Sequence, residues 1–477
     1  MRSKLQQAGL IGVGLVAGIL ISVNYSAVAQ KDAMGPLPIE ELRTFADVFG
    51  AIKQGYVEPI EDKKLITYAI SGMLSNLDPH SAYLDAESFK DLQVSTQGEF
   101  GGLGIEVGME DGFVKVVSPI EDTPADRAGI KAGDLIIKLD DSPVKGLTLS
   151  DAVKKMRGKP KTSIKLTVAR KGETKPLEFT IVRDKIKVQS VKSKTVEPGY
   201  GYLRVTQFQE ETAADVARHL DKLFKEKDKD GKSEPIKGLV LDLRNDPGGL
   251  LHGAIGVAAA FLPAKALVTS TDGRTEDAKK KYIASSEDYL RGQKNDFLKD
   301  VPAGAKNIPL IVLVNGGSAS ASEIVAGALQ DHKRAVIMGT QTFGKGSVQT
   351  VLPLSNNTAV KLTTARYYTP NGRSIQAKGI VPDVLVEETA NGDKRERLRE
   401  ADLERHLDND KEKAPAKDAD KTPAKPQAKT GTKGKSPHKE DDEDAVKTPS
   451  SEIAAKSDYQ LSQAMNLLKA WQVIQAR

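Results

Sequence analysis

Three short apolar runs, at residues 238–243, 308–314 and 335–338, constrain this chain more than any other feature. A strand with one wet face alternates polar and apolar residues. These runs barely alternate, which fits strands buried on both faces of an α/β layered domain. A further strand pattern at 201–205 and helical patterns at 211–226, 254–261 and 322–330 fall before and between them. From about residue 202 to 386 the chain therefore reads as a layered α/β domain.

Two motifs lie at the ends of those strands. Asn315-Gly-Gly-Ser-Ala-Ser-Ala-Ser-Glu323 follows the 308–314 run and opens into the next helix. A serine at a strand-to-helix turn is displayed at a sheet edge, close to backbone N–H groups that stabilise an anion. Phe343-Gly-Lys-Gly-Ser-Val-Gln349 follows the 335–338 run, so both motifs belong at the same edge. A hydroxyl attacks an amide only when a base removes its proton. Lysine, with a pKa of about 10.4, serves as that base only where burial disfavours its ammonium form. Lys345 sits between Gly344 and Gly346, which permit close packing, and Gln349 offers a neutral amide to hold the amine. Ser318, Ser320 and Ser322 compete for the nucleophile, and spacing does not choose among them. Ser320-Ala-Ser-Glu323 is also a capping-box pattern, in which the serine would only cap the helix.

Other chemistries fall away. The sequence has no cysteine, which removes thiol nucleophiles, zinc–thiolate sites and disulfides together. The six histidines, at 80, 219, 252, 332, 406 and 438, show no metal-ligand spacing, and no Gly-x-Ser-x-Gly elbow is present. A net charge of +5 and 5% aromatic residues give no support to nucleic-acid binding. The run from Gly339 to Gly346 nearly matches a phosphate-binding loop, but Gly346 stands where the magnesium-binding hydroxyl belongs. Asp228-Lys-Asp-Gly231 hints at a calcium loop and lacks the distal glutamate. No metal or other cofactor is expected.

The rest of the chain divides by texture. Arg2 and Lys4, an apolar stretch at 8–23 and Ala27-Val28-Ala29 make residues 1–29 a signal peptide. The apolar stretch is short for a membrane span. Export is therefore expected, with retention of an uncleaved segment at the inner membrane as the alternative. Residues 36–97 carry helical patterns at 39–54 and 63–77, followed by the turn Asp78-Pro-His-Ser81. Residues 98–184 change to short strands at 113–117, 135–139, 163–170 and 177–182, with helices at 125–128 and 149–156. Gly101-Gly-Leu-Gly-Ile105 is a turn whose N–H groups suit a terminal carboxylate. Residues 387–450 are expected to be disordered, because Lys, Asp, Glu, Pro and Ala dominate most of that stretch and cannot bury enough surface. Helical periodicity returns within 451–477, as a helix that docks on the body or on a partner.

Together, Gly101-Gly-Leu-Gly-Ile105 and Thr123-Pro-Ala-Asp-Arg-Ala-Gly-Ile-Lys-Ala-Gly-Asp-Leu-Ile136 resemble the PDZ domains of exported bacterial proteases. That resemblance implies that Leu103, Gly104 and Ile105 receive a substrate's C-terminal carboxylate. Arg157 is a candidate for contact between this module and a catalytic body. On a wider scale, Leu241-Asp-Leu-Arg-Asn-Asp-Pro-Gly-Gly249, Asp78-Pro-His-Ser-Ala-Tyr83 and both motifs above resemble the C-terminal processing peptidases, or tail-specific proteases. The resemblance implies a crotonase-like peptidase core over 185–386, with Ser320 as nucleophile, Lys345 as base twenty-five positions on, and Gln349 orienting it. It also implies an oxyanion hole built from the Ala321 N–H and a glycine, here Gly248 in preference to Gly249. Asp246 departs from the family, which carries asparagine before the proline, and so bears on that turn's geometry. The implied activity is endoproteolysis of unfolded or tail-marked proteins near their C-termini, in the periplasm. A helical-repeat adaptor and homo-oligomers are implied partners. The competing reading is a PDZ scaffold that captures C-termini without catalysis, which would have no reason to keep serine, lysine and glutamine at this spacing.

Overall fold

The computed structural model describes residues 37–227, 231, 235–390, 392, 397–411, 454–455 and 457–475. The segment expected to be a signal peptide, most of the calcium-like loop and residues 412–450 lie outside them. The chain divides into two units, residues 1–73 and 74–477. In the first, the helix Ile39–Gly55 carries acidic Glu40 and Glu41 in its first turn and Lys53 in its last, complementing its dipole. None of its residues is buried.

The second unit is a mixed α/β body with a PDZ domain. Its central sheet has six strands in the order Val191–Glu197, Tyr200–Val205, Gly238–Asp242, Leu310–Val314, Val336–Gly339 and Val384–Leu385. Every pairing after the first is parallel. Alternate side chains explain the continuous apolar runs. Leu239, Leu241, Leu310, Val312, Val314 and Ile337 face a core formed with the helices Thr212–Lys225, Leu251–Phe261 and Ala321–Asp331. Val240, Ile311, Leu313 and Met338 face the other way, against Leu461, Ala464, Met465 and Leu468 of the helix Tyr459–Gln475. The C-terminal helix thus docks on the body and covers the sheet's second face.

A second, antiparallel sheet contains Ala82–Leu84, Leu267–Gly273, Lys280–Ile283, Ser347–Pro353 and Ala359–Tyr368. Sequence reading recognised only the Ser347–Pro353 strand of this sheet. It also passed over the helix Ala86–Gln97, although Asp85 caps one end and Gly98, at φ +71°, closes the other. The PDZ domain pairs Ile105–Glu110, Phe113–Pro119, Leu135–Leu139, Ser163–Ala169 and Leu177–Val182 in that spatial order. It has its own core, centred on Val114, Val116, Ile136, Ile164, Leu166 and Val168. The chain enters and leaves it through one antiparallel pair, Glu99–Gly102 with Asp184–Lys187.

Residues 397–411 fall in the stretch expected to be disordered, yet they pack on the body. Tyr368 OH and Ser374 Oγ donate to Asp410 at 2.6 and 3.0 Å, and Asn409 Nδ2 donates to Gln376 O at 2.8 Å. Polar side chains order this segment through specific hydrogen bonds, which composition does not register.

Candidate active site

The strand Leu310–Val314 ends at Asn315, and the turn that follows is fastened at several points. Ser318 Oγ donates to Leu243 O at 2.7 Å and accepts the Asn315 N–H at 3.0 Å. Ser322 Oγ donates to Asp246 O at 3.0 Å. Both of these serines are fully buried, with their hydroxyls engaged. Ser320 differs. Its backbone lies at φ +54°, ψ −110°, a conformation that costs a residue with a Cβ about 1–3 kcal/mol. It stands at the N-cap of the helix Ala321–Asp331 in the capping-box arrangement with Glu323 that the sequence pattern suggested, its hydroxyl turned toward the first turn of the helix.

Glu323 joins the serine turn to the lysine loop. Oε2 accepts the N–H of Ser320 at 2.7 Å and that of Lys345 at 2.9 Å. Oε1 accepts Thr342 Oγ1 at 2.6 Å and the Gly344 N–H at 2.7 Å. Burial pushes this carboxyl up to about 7, against those four hydrogen bonds, which favour its charged form. The Phe343 N–H adds a direct tie, donating to Ser318 O at 3.0 Å.

Lys345 is half-buried. Burial, aided by the charge on Lys361, pushes its pKa below the ordinary lysine value, while Glu400, Glu323 and Asp78 oppose that shift. Among the described residues no hydrogen bond joins its ammonium to Ser320. Gln349 sits at a bulge where the strands Ser347–Pro353 and Ala359–Tyr368 shift register. Its amide nitrogen donates to Ser347 Oγ at 2.9 Å and Thr363 Oγ1 at 3.3 Å, leaving its oxygen unpartnered among the described residues. Thr363 Oγ1 donates in turn to Asp78 Oδ1 at 3.0 Å, and Ser81 Oγ donates to Asp78 Oδ2 at 2.6 Å. The Asp78–Ser81 turn is therefore part of the support for this hairpin.

The third loop, Asn245-Asp-Pro-Gly-Gly249, is clasped from both sides. Arg244 binds Asp242 through Nε and NH2 at 2.9 and 2.6 Å, and Asp458 at 2.9 and 2.6 Å. A Cβ at Gly248, whose φ is +96°, would fall 2.9 Å from both the Ala321 nitrogen and Ser320 Cβ. Gly248 therefore lies directly against the serine, whereas Gly249 backs onto Phe208. The Ala321 N–H opens the helix and has no intrahelical partner. The Gly248 N–H is engaged: it donates to Asp246 Oδ1 at 2.8 Å. Asp246 is fully buried, its Oδ2 has no partner, and burial pushes its carboxyl up to about 8.

In the PDZ domain, the carbonyls of Leu103 and Gly104 are taken by the N–H groups of Ala125 and Ile120, both at 2.9 Å. Their own N–H groups donate no hydrogen bond among the described residues, as a loop awaiting an anion requires. Ile105 begins the adjoining strand. Arg157 lies over the Phe100 ring, 4.6 Å from its centroid, at the stem of the PDZ domain. Sequence reasoning passed over Glu323 as a bridge and Glu400 altogether. The capping-box pattern marked the first, and no local pattern marks the second.

Comparison with known proteins gives three family matches. The model of peptidase family S41 matches residues 199–386, that of the PDZ domain residues 101–181, and that of the activating protease CtpB N-terminal domain residues 20–88. A carboxy-terminal-processing protease of Bartonella bacilliformis is 50% identical over 375 residues, covering 78% of this chain and 82% of that protein. The carboxy-terminal processing protease CtpB of Bacillus subtilis is 34% identical over 388 residues, covering 79% and 75%. Among solved structures, a photosystem II D1 C-terminal processing protease is 30% identical, covering 72% of this chain and 92% of that one, with a TM-score of 0.39.

Proposed function

This chain belongs to the C-terminal processing peptidases of family S41, and we propose that it works as an exported endopeptidase with a Ser320–Lys345 dyad. The observation that supports the dyad is Glu323 Oε2, which holds the backbones of both residues, with Ser320 in a strained conformation at the helix N-terminus. Lys345 in its neutral form takes the Ser320 proton as Oγ attacks the scissile carbonyl. The oxyanion is held by the Ala321 N–H and by the Gly248 N–H once it leaves Asp246. The Lys345 ammonium then protonates the departing amine. Water, activated by the same lysine, releases the acyl group from Ser320. Gln349 orients the amine through its free carbonyl oxygen.

Neither the Ser320–Lys345 hydrogen bond nor a free Gly248 N–H is in place, which fits a site that substrate completes. The PDZ loop at Leu103, Gly104 and Ile105 binds the substrate's C-terminal carboxylate, and unfolded or tail-marked proteins are the substrates. Export rests on residues 1–29, and the periplasm is the expected compartment. A helical-repeat adaptor and a homo-oligomer remain part of this proposal.

The test is cleavage of an unfolded protein with an apolar C-terminal tail by wild type, Ser320→Ala and Lys345→Ala. Both variants should fold and lose turnover by several orders of magnitude. Turnover surviving Ser320→Ala would move the nucleophile to Ser318 or Ser322.

A further inference from the structure

Glu400 lies beyond the residues matched by the peptidase family and is nevertheless fully buried. Its backbone N–H donates to Phe343 O at 3.1 Å. Gln376 Nε2 donates to its Oε1 at 2.9 Å, and its Oε2 pairs with His80 Nε2 at 2.8 Å. Gln376 Oε1 in turn accepts the Gly346 N–H at 3.1 Å. Glu400 therefore brackets Lys345, reaching Phe343 directly and Gly346 through one amide. The same segment also reaches the other two loops. Arg397 donates to Asn245 Oδ1 at 3.1 Å and to Glu388 Oε2 at 2.6 Å, and Glu388 Oε1 accepts from Asn315 Nδ2 at 2.8 Å.

We propose that residues 397–411 belong to the catalytic apparatus, with Glu400 a positioning residue that fixes the loop bearing Lys345 and presents a negative charge to its amine. The proposal rests on Lys345 acting as the base. The groups facing Lys345 are Lys361, which disfavours its ammonium, and Glu400, Glu323 and Asp78, which favour it. Glu400 itself faces His80, Gln376 and Lys345. Burial pushes its carboxyl up, but the hydrogen bonds from His80 and Gln376 prevail and hold it below the usual range. It stays charged while the lysine titrates. Its charge stabilises the ammonium that forms when Lys345 takes the serine proton, and for the same reason delays formation of the neutral base as pH rises.

The experiment is kcat and KM against pH for wild type, Glu400→Gln, Glu400→Ala and Lys345→Ala, on an unfolded protein with an apolar C-terminal tail, with thermal unfolding run alongside. Glu400→Gln should lose kcat at its optimum with KM little changed. Its acid limb should move to lower pH, so that it keeps a several-fold larger fraction of its maximal rate on the acid side. Glu400→Ala removes the same charge and should shift the limb in the same direction, which covers the case of a misfolded glutamine variant. A folded Glu400 variant with the wild-type acid limb overturns the proposal. Full activity in Lys345→Ala would instead overturn the dyad on which it rests.

Discussion

The Lys345 backbone N–H rests on Glu323 Oε2 at 2.9 Å, and that oxygen is shared with the Ser320 N–H. Four donors converge on this one buried side chain, so an amide cannot replace it. Whichever way a glutamine turned, its NH2 would meet at least one backbone N–H that it cannot accept, since of the four donors only the Thr342 hydroxyl can turn to accept. Glu323→Gln should destabilise the protein by about 2–4 kcal/mol, the cost of buried donors left unpaired. It should also lower kcat, because both loops lose their common anchor. Denaturant unfolding and peptidase assays read the two effects separately.

Lys345→Arg separates charge from basicity. A guanidinium keeps the positive charge but does not deprotonate in proteins. The variant should fold and be as inactive as Lys345→Ala. In wild type, burial lowers the lysine pKa, so the acid limb of kcat/KM should lie below the ordinary lysine value of 10.5. Measurable turnover by Lys345→Arg would contradict the base assignment.

Asp246 gives a stability prediction with a definite sign. Its folded pKa, pushed up to about 8, exceeds the ordinary aspartate value of 3.8. The folded state therefore holds a proton that the unfolded chain has lost, and stability falls as pH rises between those values. Asp246→Asn keeps the Oδ1 acceptor for Gly248 and removes the titration. Its advantage over wild type should grow from about pH 4 to about pH 8 and then level off. At pH 8 a difference of at least about 2–4 °C in Tm is expected, equivalent to about 1 kcal/mol. A pH-independent difference would show that the carboxyl ionises normally.

Gly104 has φ +80°, and a Cβ there would collide with the Thr123 side chain, which itself donates to Gly104 O at 3.0 Å. Gly104→Ala should weaken binding of C-terminal peptides at least about tenfold, since it distorts the loop and adds about 1–3 kcal/mol of backbone strain. Turnover of a short peptide lacking a recognised tail should change much less. Peptide titration and kinetics on the two substrates distinguish these outcomes.

Much of this was legible in the sequence because it rests on local pattern. The 308–314 run announced a strand buried on both faces, and the structure places Leu310–Val314 there with every residue buried. Ser320, Lys345 and Gln349 were candidates from spacing, chemistry and family resemblance. Spacing did not separate the three serines, whereas the fold sets Ser318 and Ser322 apart from Ser320, because Leu243 O and Asp246 O engage their hydroxyls from distant positions in the chain. Glu400 was illegible for the same reason. Its partners His80 and Gln376 lie far off in sequence, and its surroundings read as solvated charge. The engagement of the Gly248 N–H by Asp246 was likewise invisible, since a substituted residue type does not say where its oxygens point.

Leu468 is fully buried against the central sheet, and Leu468→Ala should cost about 2–5 kcal/mol in denaturant unfolding.

The docking of that helix also sets an order of events during synthesis. Val240, Ile311, Leu313 and Met338 leave the ribosome long before Leu461, Ala464, Met465 and Leu468 can cover them. Arg244, at the base of the Gly248 turn, likewise waits for Asp458. A chain that stops short of residue 458 thus carries Ser320 and Lys345 on a body whose central sheet has one apolar face uncovered. The helix that the chain makes last is thus the one that closes the core made first.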